Sequence, residues 1–170
     1  MKSVSSPNRK PIGYRFRIRI TLLSFAVAFT IAAWYVGNQP SSTPITAIDT
    51  ELVGYNYLFG FRYPGHDQLL YTEDDRFGTR DLYVPQNAHV QLHLKSDDYI
   101  YTLEIPKLEV YELAAPDLTF DVRFVAPKAG VHELLGSQMC GYDHSELLGK
   151  LIVQPAAEYR RTMRNLPQSK

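Results

Sequence analysis

Hydrophobic residues fall along this chain in two different rhythms. The first is continuous: Ile20–Val36, ITLLSFAVAFTIAAWYV, runs seventeen residues without a charge. As a helix rising about 1.5 Å per residue it would extend roughly 26 Å, the short end of what crosses a hydrocarbon core. No polar face interrupts it, and Trp34 and Tyr35 stand at its far end, where aromatic residues gather at membrane interfaces. The second rhythm is alternation. His89–Leu94 reads HVQLHL, which sends Val90, Leu92 and Leu94 to one side of a strand and His89, Gln91 and His93 to the other. Short runs rich in Val, Ile, Leu, Tyr and Phe recur at Leu52–Phe61, Arg80–Val84, Tyr99–Ile105, Leu118–Val125, Val131–Leu135 and Leu147–Val153, broken by Pro, Gly and Asp. Seven or eight strands with no sustained helical pattern predict an all-β sandwich. Between them, Gly65–Thr79 reads as an acidic loop and Pro85–Asn87 as a turn.

Charge sharpens the contrast between the two parts. The net charge is zero, yet six basic residues (Lys2, Arg9, Lys10, Arg15, Arg17, Arg19) precede residue 20 and no acid appears before Asp49. Between Asp49 and Ala156 stand seventeen acids and eight bases, a difference of −9. A basic head before an apolar run places the N-terminus in the cytoplasm and the rest outside the inner membrane. A cleaved signal sequence carries the same charge pattern, but this run exceeds the usual ~7–15 apolar residues and no convincing A-x-A site follows. The expected organisation is a basic cytoplasmic arm over 1–19, a single transmembrane helix over 20–37, a Pro/Ser/Thr linker over 38–49, an outer β domain over 50–155, and a loose basic tail over 156–170. An acidic body also argues against nucleic acid as a partner.

The chemistry concentrates in Gly130–Leu148, GVHELLGSQMCGYDHSELL, where the single cysteine, Cys140, stands four residues before His144 between two apolar runs. One cysteine permits no internal disulfide, and a thiolate and an imidazole on one inter-strand loop are soft copper ligands. Three stretches, GYNYLFGFRYP from Gly54, LYVPQNAHVQLHLKSDDYIYTLEIP from Leu82 and the Gly130–Leu147 loop, resemble in order the outer domain of subunit II of haem–copper respiratory oxidases. The third aligns without a gap to G-x-Y-x-G-x-C-x-E-x-C-G-x-x-H-x-x-M.

That resemblance implies a cupredoxin-like Greek-key sandwich, a place in an electron-transport complex beside a catalytic haem–copper subunit, and the position of a two-copper CuA centre. Cys140 and His144 fall on its second cysteine and second histidine. Tyr101 stands at its first histidine, Gly136 at its first cysteine, Gln138 at its carbonyl-bearing glutamate and Leu147 at its methionine. One thiolate cannot bridge two coppers, so no binuclear centre is expected, as in quinol-oxidase relatives. The family's K-x-D-x-x-P-G reads Tyr111-Glu112-Leu113-Ala114-Ala115-Pro116-Asp117 here.

The residues leave other readings open. Cys140, His144 and His132 make a candidate mononuclear copper triad, which would suit a membrane-tethered electron carrier or copper-delivery protein. Buried packing roles for Cys140 and Tyr101 and a surface role for His132 are the plainer alternatives. The acids Glu73, Asp74, Asp75, Asp97 and Asp98 are a candidate landing field for a basic c-type cytochrome, or simply a solvated face, as are His66, His89 and His93. A sensory or adhesive sandwich domain is the third class of reading.

Overall fold

The computed structural model describes residues 30–31, 45–139 and 144–168. The chain divides into two units, 1–41 and 42–170. In the first, only Thr30 and Ile31 are described; both are helical. The basic arm, most of the apolar run Ile20–Val36 and the linker up to residue 44 lie outside the described residues. Among the described residues no helix is long and apolar enough to cross a membrane.

The second unit is two five-stranded sheets. The strands are β1 (Ala47–Tyr55), β2 (Leu58–Tyr63), β3 (Arg76–Thr79), β4 (Leu82–Pro85), β5 (His89–Ser96), β6 (Tyr101–Ile105), β7 (Val110–Ala114), β8 (Phe120–Val125), β9 (Gly130–Gln138) and β10 (Gly149–Gln154). One sheet has the order β3-β2-β1-β5-β8, the other β4-β10-β9-β6-β7. Strand β1 runs parallel to β5, with Leu52 opposite Leu94, and antiparallel to β2, with Leu52 opposite Phe61. In the second sheet β10 runs parallel to β4, while β9 is antiparallel to both β10 and β6.

Alternation explains the core. On β5, Val90, Leu92 and Leu94 are buried while His89, Gln91 and His93 face the other way, as their spacing predicts. Leu52, Phe59, Phe61, Leu103 and Leu134 are sealed between the sheets, and each such side chain contributes roughly 1.5–3 kcal/mol relative to leaving it in water. The aromatic-rich run 52–61 folds as two strands joined at Asn56 and Tyr57, which adopt φ of 48° and 60°. Two left-handed residues give the turn whose twist matches that of paired strands. Asparagine tolerates this readily; a bulky tyrosine does so at a cost, roughly 1–2 kcal/mol.

Four expectations are corrected. The loop expected over 65–79 ends in an edge strand, β3, because Phe77 and its neighbours complete the ladder of β2, with Arg62 opposite Phe77. Strand β7, absent from the sequence reading, is a second-sheet edge whose mixed burial blurs alternation. The tail is not loose, because helix α1 (Ala156–Asn165) occupies most of it. Tyr159 is buried there, and Met163 and Leu166 pack against the core at spacings of four and three residues, one helical face. Strand β1 also begins inside the expected linker, at Ala47, where it gains β5 as a partner.

Candidate functional site at the hairpin end of the sandwich

The β1–β2 turn, residues 97–100 before β6, and the chain between β9 and β10 meet at one end of the sandwich. Cys140 lies outside the described residues. His144 is half-buried and stacks on Tyr57, with ring centroids 3.9 Å apart and planes inclined at 25°. Tyr57 stacks in turn on Tyr99 at 5.2 Å. Beneath them Tyr101 meets the edge or face of Tyr99 at 6.4 Å and of Phe59 at 5.9 Å, both near perpendicular. Four rings and an imidazole thus form one continuous cluster, held by the strained turn at Tyr57.

One carboxylate organises it. Tyr101 is fully buried and its hydroxyl donates to Asp98 Oδ1 at 2.7 Å while accepting the backbone N–H of Tyr57 at 3.1 Å. Asp98 also accepts the backbone N–H groups of Asn56, at 2.6 Å, and Tyr99, at 2.7 Å. Partial burial works against the Asp98 carboxylate, but its hydrogen bonds with Tyr101, Asn56 and Tyr99 outweigh that and lower its pKa. Burial, reinforced by Asp98, pushes the Tyr101 phenol well above its ordinary range. This phenol is a neutral donor, already committed to partners inside the protein.

The other positions that the resemblance marks are filled by packing. A Cβ on Gly136 would run into the Phe59 ring and stand 2.8 Å from the Leu147 carbonyl oxygen. Leu147 is buried beside it, and Gln138 sits half-buried opposite Tyr101 in the β6–β9 ladder. His132 is elsewhere: it pairs with Leu151, six residues before Gln138, which along a strand is roughly 20 Å. Its Nε2 is buried without a hydrogen-bond partner and faces the start of β9, 3.7 Å from where a Gly130 Cβ would stand. His144 and Tyr101 are therefore brought to one cluster and His132 is not. Among the described residues no three His, Cys, Asp or Glu are grouped to hold a metal ion.

Around the cluster, Tyr99, Ile100, Met139 and Leu148 are exposed by 40–59%, and Leu118, on the loop entering β8, by 57%. Met139 N–H binds the Ile100 carbonyl at 3.0 Å, which joins two of them into one rim. Sequence reasoning overlooked this rim, although Tyr-Ile before β6 and Gln-Met before Cys140 are apolar residues on loops, where water would be expected.

The residues expected to form a solvated acidic field divide. Asp75 is buried, accepting the Tyr71 N–H at 2.7 Å and facing Arg62 Nη1 at 3.5 Å. Glu51, also buried, accepts from Tyr71 Oη at 2.6 Å and pairs with Lys95 at 2.9 Å and Arg62 at 3.1 Å. Two acids and two bases neutralise one another, because neither sign is stable under the loop alone. Glu73, Asp74, Asp97 and Asp98 remain toward solvent, with Asp74 held below its usual pKa first by Thr72 and then by the His66 N–H. His93 is not simply solvated either: its Nδ1 lies 2.6 Å from Asp121 Oδ1 and its Nε2 3.8 Å from Asp49.

With this geometry in hand, the chain compares as follows. The family described as cytochrome c oxidase subunit II, periplasmic domain, matches residues 54–154, more than half the chain. The chain belongs to that family. Among curated subunit II proteins it is similar to the alternative cytochrome c oxidase subunit 2 of Bradyrhizobium diazoefficiens, 23% identical over 146 residues, covering 73% of this chain and 53% of that protein. It is likewise similar to cytochrome c oxidase subunit 2 of Thermostichus vulcanus, 25% identical over 109 residues, covering 64% of this chain and 30% of that one. The chain thus spans about half or less of these relatives' length. The crystal structure of the periplasmic domain of subunit II of cytochrome oxidase from Bradyrhizobium japonicum superposes with a TM-score of 0.61 at 17% identity, covering 72% of this chain and 95% of that one. The sandwich is therefore cupredoxin-like, and the subunit II segment is one that is periplasmic in its family.

Proposed function

We propose that this subunit II-like chain is a non-catalytic component of a membrane haem–copper oxidase, anchored through Ile20–Val36, and that its outer domain docks partners instead of holding a two-copper centre. The observation that carries this reading is the filled ligand site. Gly136 offers no thiolate and leaves no room for one, the Tyr101 phenol is committed to Asp98 and Tyr57, and Leu147 supplies no donor. The residues present do not fit a binuclear copper centre. In such an assembly a separate catalytic subunit carries haem and copper, and electrons reach it by another carrier. The exposed apolar rim of Tyr99, Ile100, Met139 and Leu148 suits the docking role, since patches of this kind at the edge of a domain mark contact surfaces. Docking of a basic cytochrome on the acids still facing solvent, Glu73, Asp74 and Asp97, would be a weaker, salt-sensitive addition.

Affinity purification of the full chain from its own membranes in mild detergent tests this reading. Haem-containing partners should copurify, with no two-copper absorption belonging to this chain. A monomer without haem-containing partners would overturn the proposal. The same sample serves the alternative of a mononuclear site: a thiolate-to-copper band on adding Cu(II), abolished by Cys140→Ser, would assign copper to Cys140 and His144 instead.

A further inference from the structure

At the end of the sandwich opposite the hairpin, α1 stands over the start of β1 and encloses a cleft of about 480 Å³. Strand β1 is nine residues long, so this cleft lies roughly 27 Å from the aromatic cluster. Its charge is unlike the rest of the domain. Arg76, Arg160, Arg164 and His66 line it, and among the described residues no Asp or Glu does, although residues 49–156 carry seventeen acids against eight bases. Arg160 and Arg164 are one helical turn apart on the same face of α1. Arg76 reaches the Leu166 carbonyl through Nη1 at 3.2 Å, and among the described residues no carboxylate is ion-paired with Arg164. The nearby acids are turned elsewhere: Asp74 accepts the His66 N–H, Asp67 the Leu69 N–H, and Glu158 bonds Gln154. The floor is apolar, formed by Ile45, Ile48, Tyr159 and Met163.

We propose that this cleft binds the headgroup of an anionic phospholipid. Guanidinium groups form paired hydrogen bonds with phosphate oxygens better than any other side chain, and the apolar floor accepts the glycerol backbone and first methylenes. A free phosphate would need the arginines but neither the floor nor a volume in the range of ligand pockets. Ile45 follows Val36, the end of the apolar run, by nine residues, a tether of at most roughly 30 Å. The proposal rests on the reading of that run as a membrane anchor.

The test uses the full chain in a neutral detergent, with backbone hydrogen exchange as the readout. Dioctanoyl-phosphatidylglycerol should protect residues 45–48 and 156–168, dioctanoyl-phosphatidylcholine should not, and inorganic phosphate should act at least tenfold more weakly. Arg160→Gln with Arg164→Gln should lower phosphatidylglycerol affinity at least tenfold, while Arg161→Gln, on the same helix but outside the cleft, should leave it unchanged. Since Arg160 makes a further contact within the protein, Arg164→Gln alone serves as the second variant, expected to weaken binding several-fold at an unaltered melting temperature. Equal protection by both lipids, equal affinity for inorganic phosphate, protection only by an acidic peptide, or an equal loss in Arg161→Gln would each overturn the proposal. Failure of the anchor shows separately, as release of the chain from membranes by alkaline carbonate.

Discussion

One end of this sandwich is closed by rings and the other by a helix, and the two closures leave opposite kinds of surface. At the hairpin end, polar atoms are satisfied by one another, Tyr101, Asp98 and the turn amides forming a knot, and the rim around them is mainly apolar with Asp97 beside it. At the helix end the apolar groups, Ile45, Ile48, Tyr159 and Met163, form the floor of the cleft, and its charged groups are guanidinium. The difference teaches where each end gets its rigidity. The hairpin end depends on a buried polar knot, so its stability responds to single polar substitutions and to acid. The helix end depends on packing, so Arg164, with which no carboxylate is ion-paired among the described residues, is available for exchange at little cost to the fold.

Substitutions should separate the two in a graded series. The largest effect is expected from Tyr159→Ala, which empties a buried site under α1 and should cost about 3–4 kcal/mol in denaturant unfolding. Gly136→Cys follows, since its side chain must displace the Phe59 ring; about 2–3 kcal/mol of overpacking should appear in the same measurement, without a new copper band. If Gly136→Cys is neutral, the ligand position is not filled. Tyr101→Phe should cost about 1–2 kcal/mol by leaving Asp98 and the Tyr57 N–H short of a partner. Acid gives a smaller effect with a defined sign. Because the Asp98 pKa is lowered on folding, its contribution is present above the unfolded carboxylate value of about 4 and fades as pH falls through the folded value. Protection of the amides of Asn56 and Tyr99, relative to their intrinsic exchange rates, should therefore fall selectively below about pH 4, and Asp98→Asn should remove that pH dependence. The smallest net change belongs to Tyr57→Gly, which relieves a left-handed tyrosine while losing its stack on His144; near-neutral stability with faster exchange at the hairpin is the expected outcome.

The central strands were legible in the sequence because each obeys a period of two against a single core, as β5 does. The edges were not. Strand β3 hides in a loop whose acids suggested solvent, and Asp75 is in fact drawn inward by Arg62 and a backbone amide, which composition does not reveal. Helix α1 was missed because its apolar face is only Tyr159, Met163 and then Leu166, diluted by three arginines. In the candidate site, Cys140 and His144 stood out as chemistry-bearing types, and Tyr101, Gly136, Gln138 and Leu147 only through the family resemblance. What spacing alone did not yield was the knot around Asp98, whose partners lie 42 residues away at Asn56 and 3 away at Tyr101. His132 looked like a neighbour of the loop because it is close in sequence, but an extended strand carries proximity away at more than 3 Å per residue.

The segment after α1 has a consequence for handling this protein. Phe77 N–H donates to the Pro167 carbonyl at 2.9 Å, and Arg76 bridges Gln168. These two contacts occupy the outer edge of β3, the last strand of its sheet, which would otherwise present free hydrogen-bonding groups to any passing strand. Trimming the chain after Leu166 would leave the core packed but the sheet sticky. Such a shortened form should self-associate at high concentration while melting almost normally.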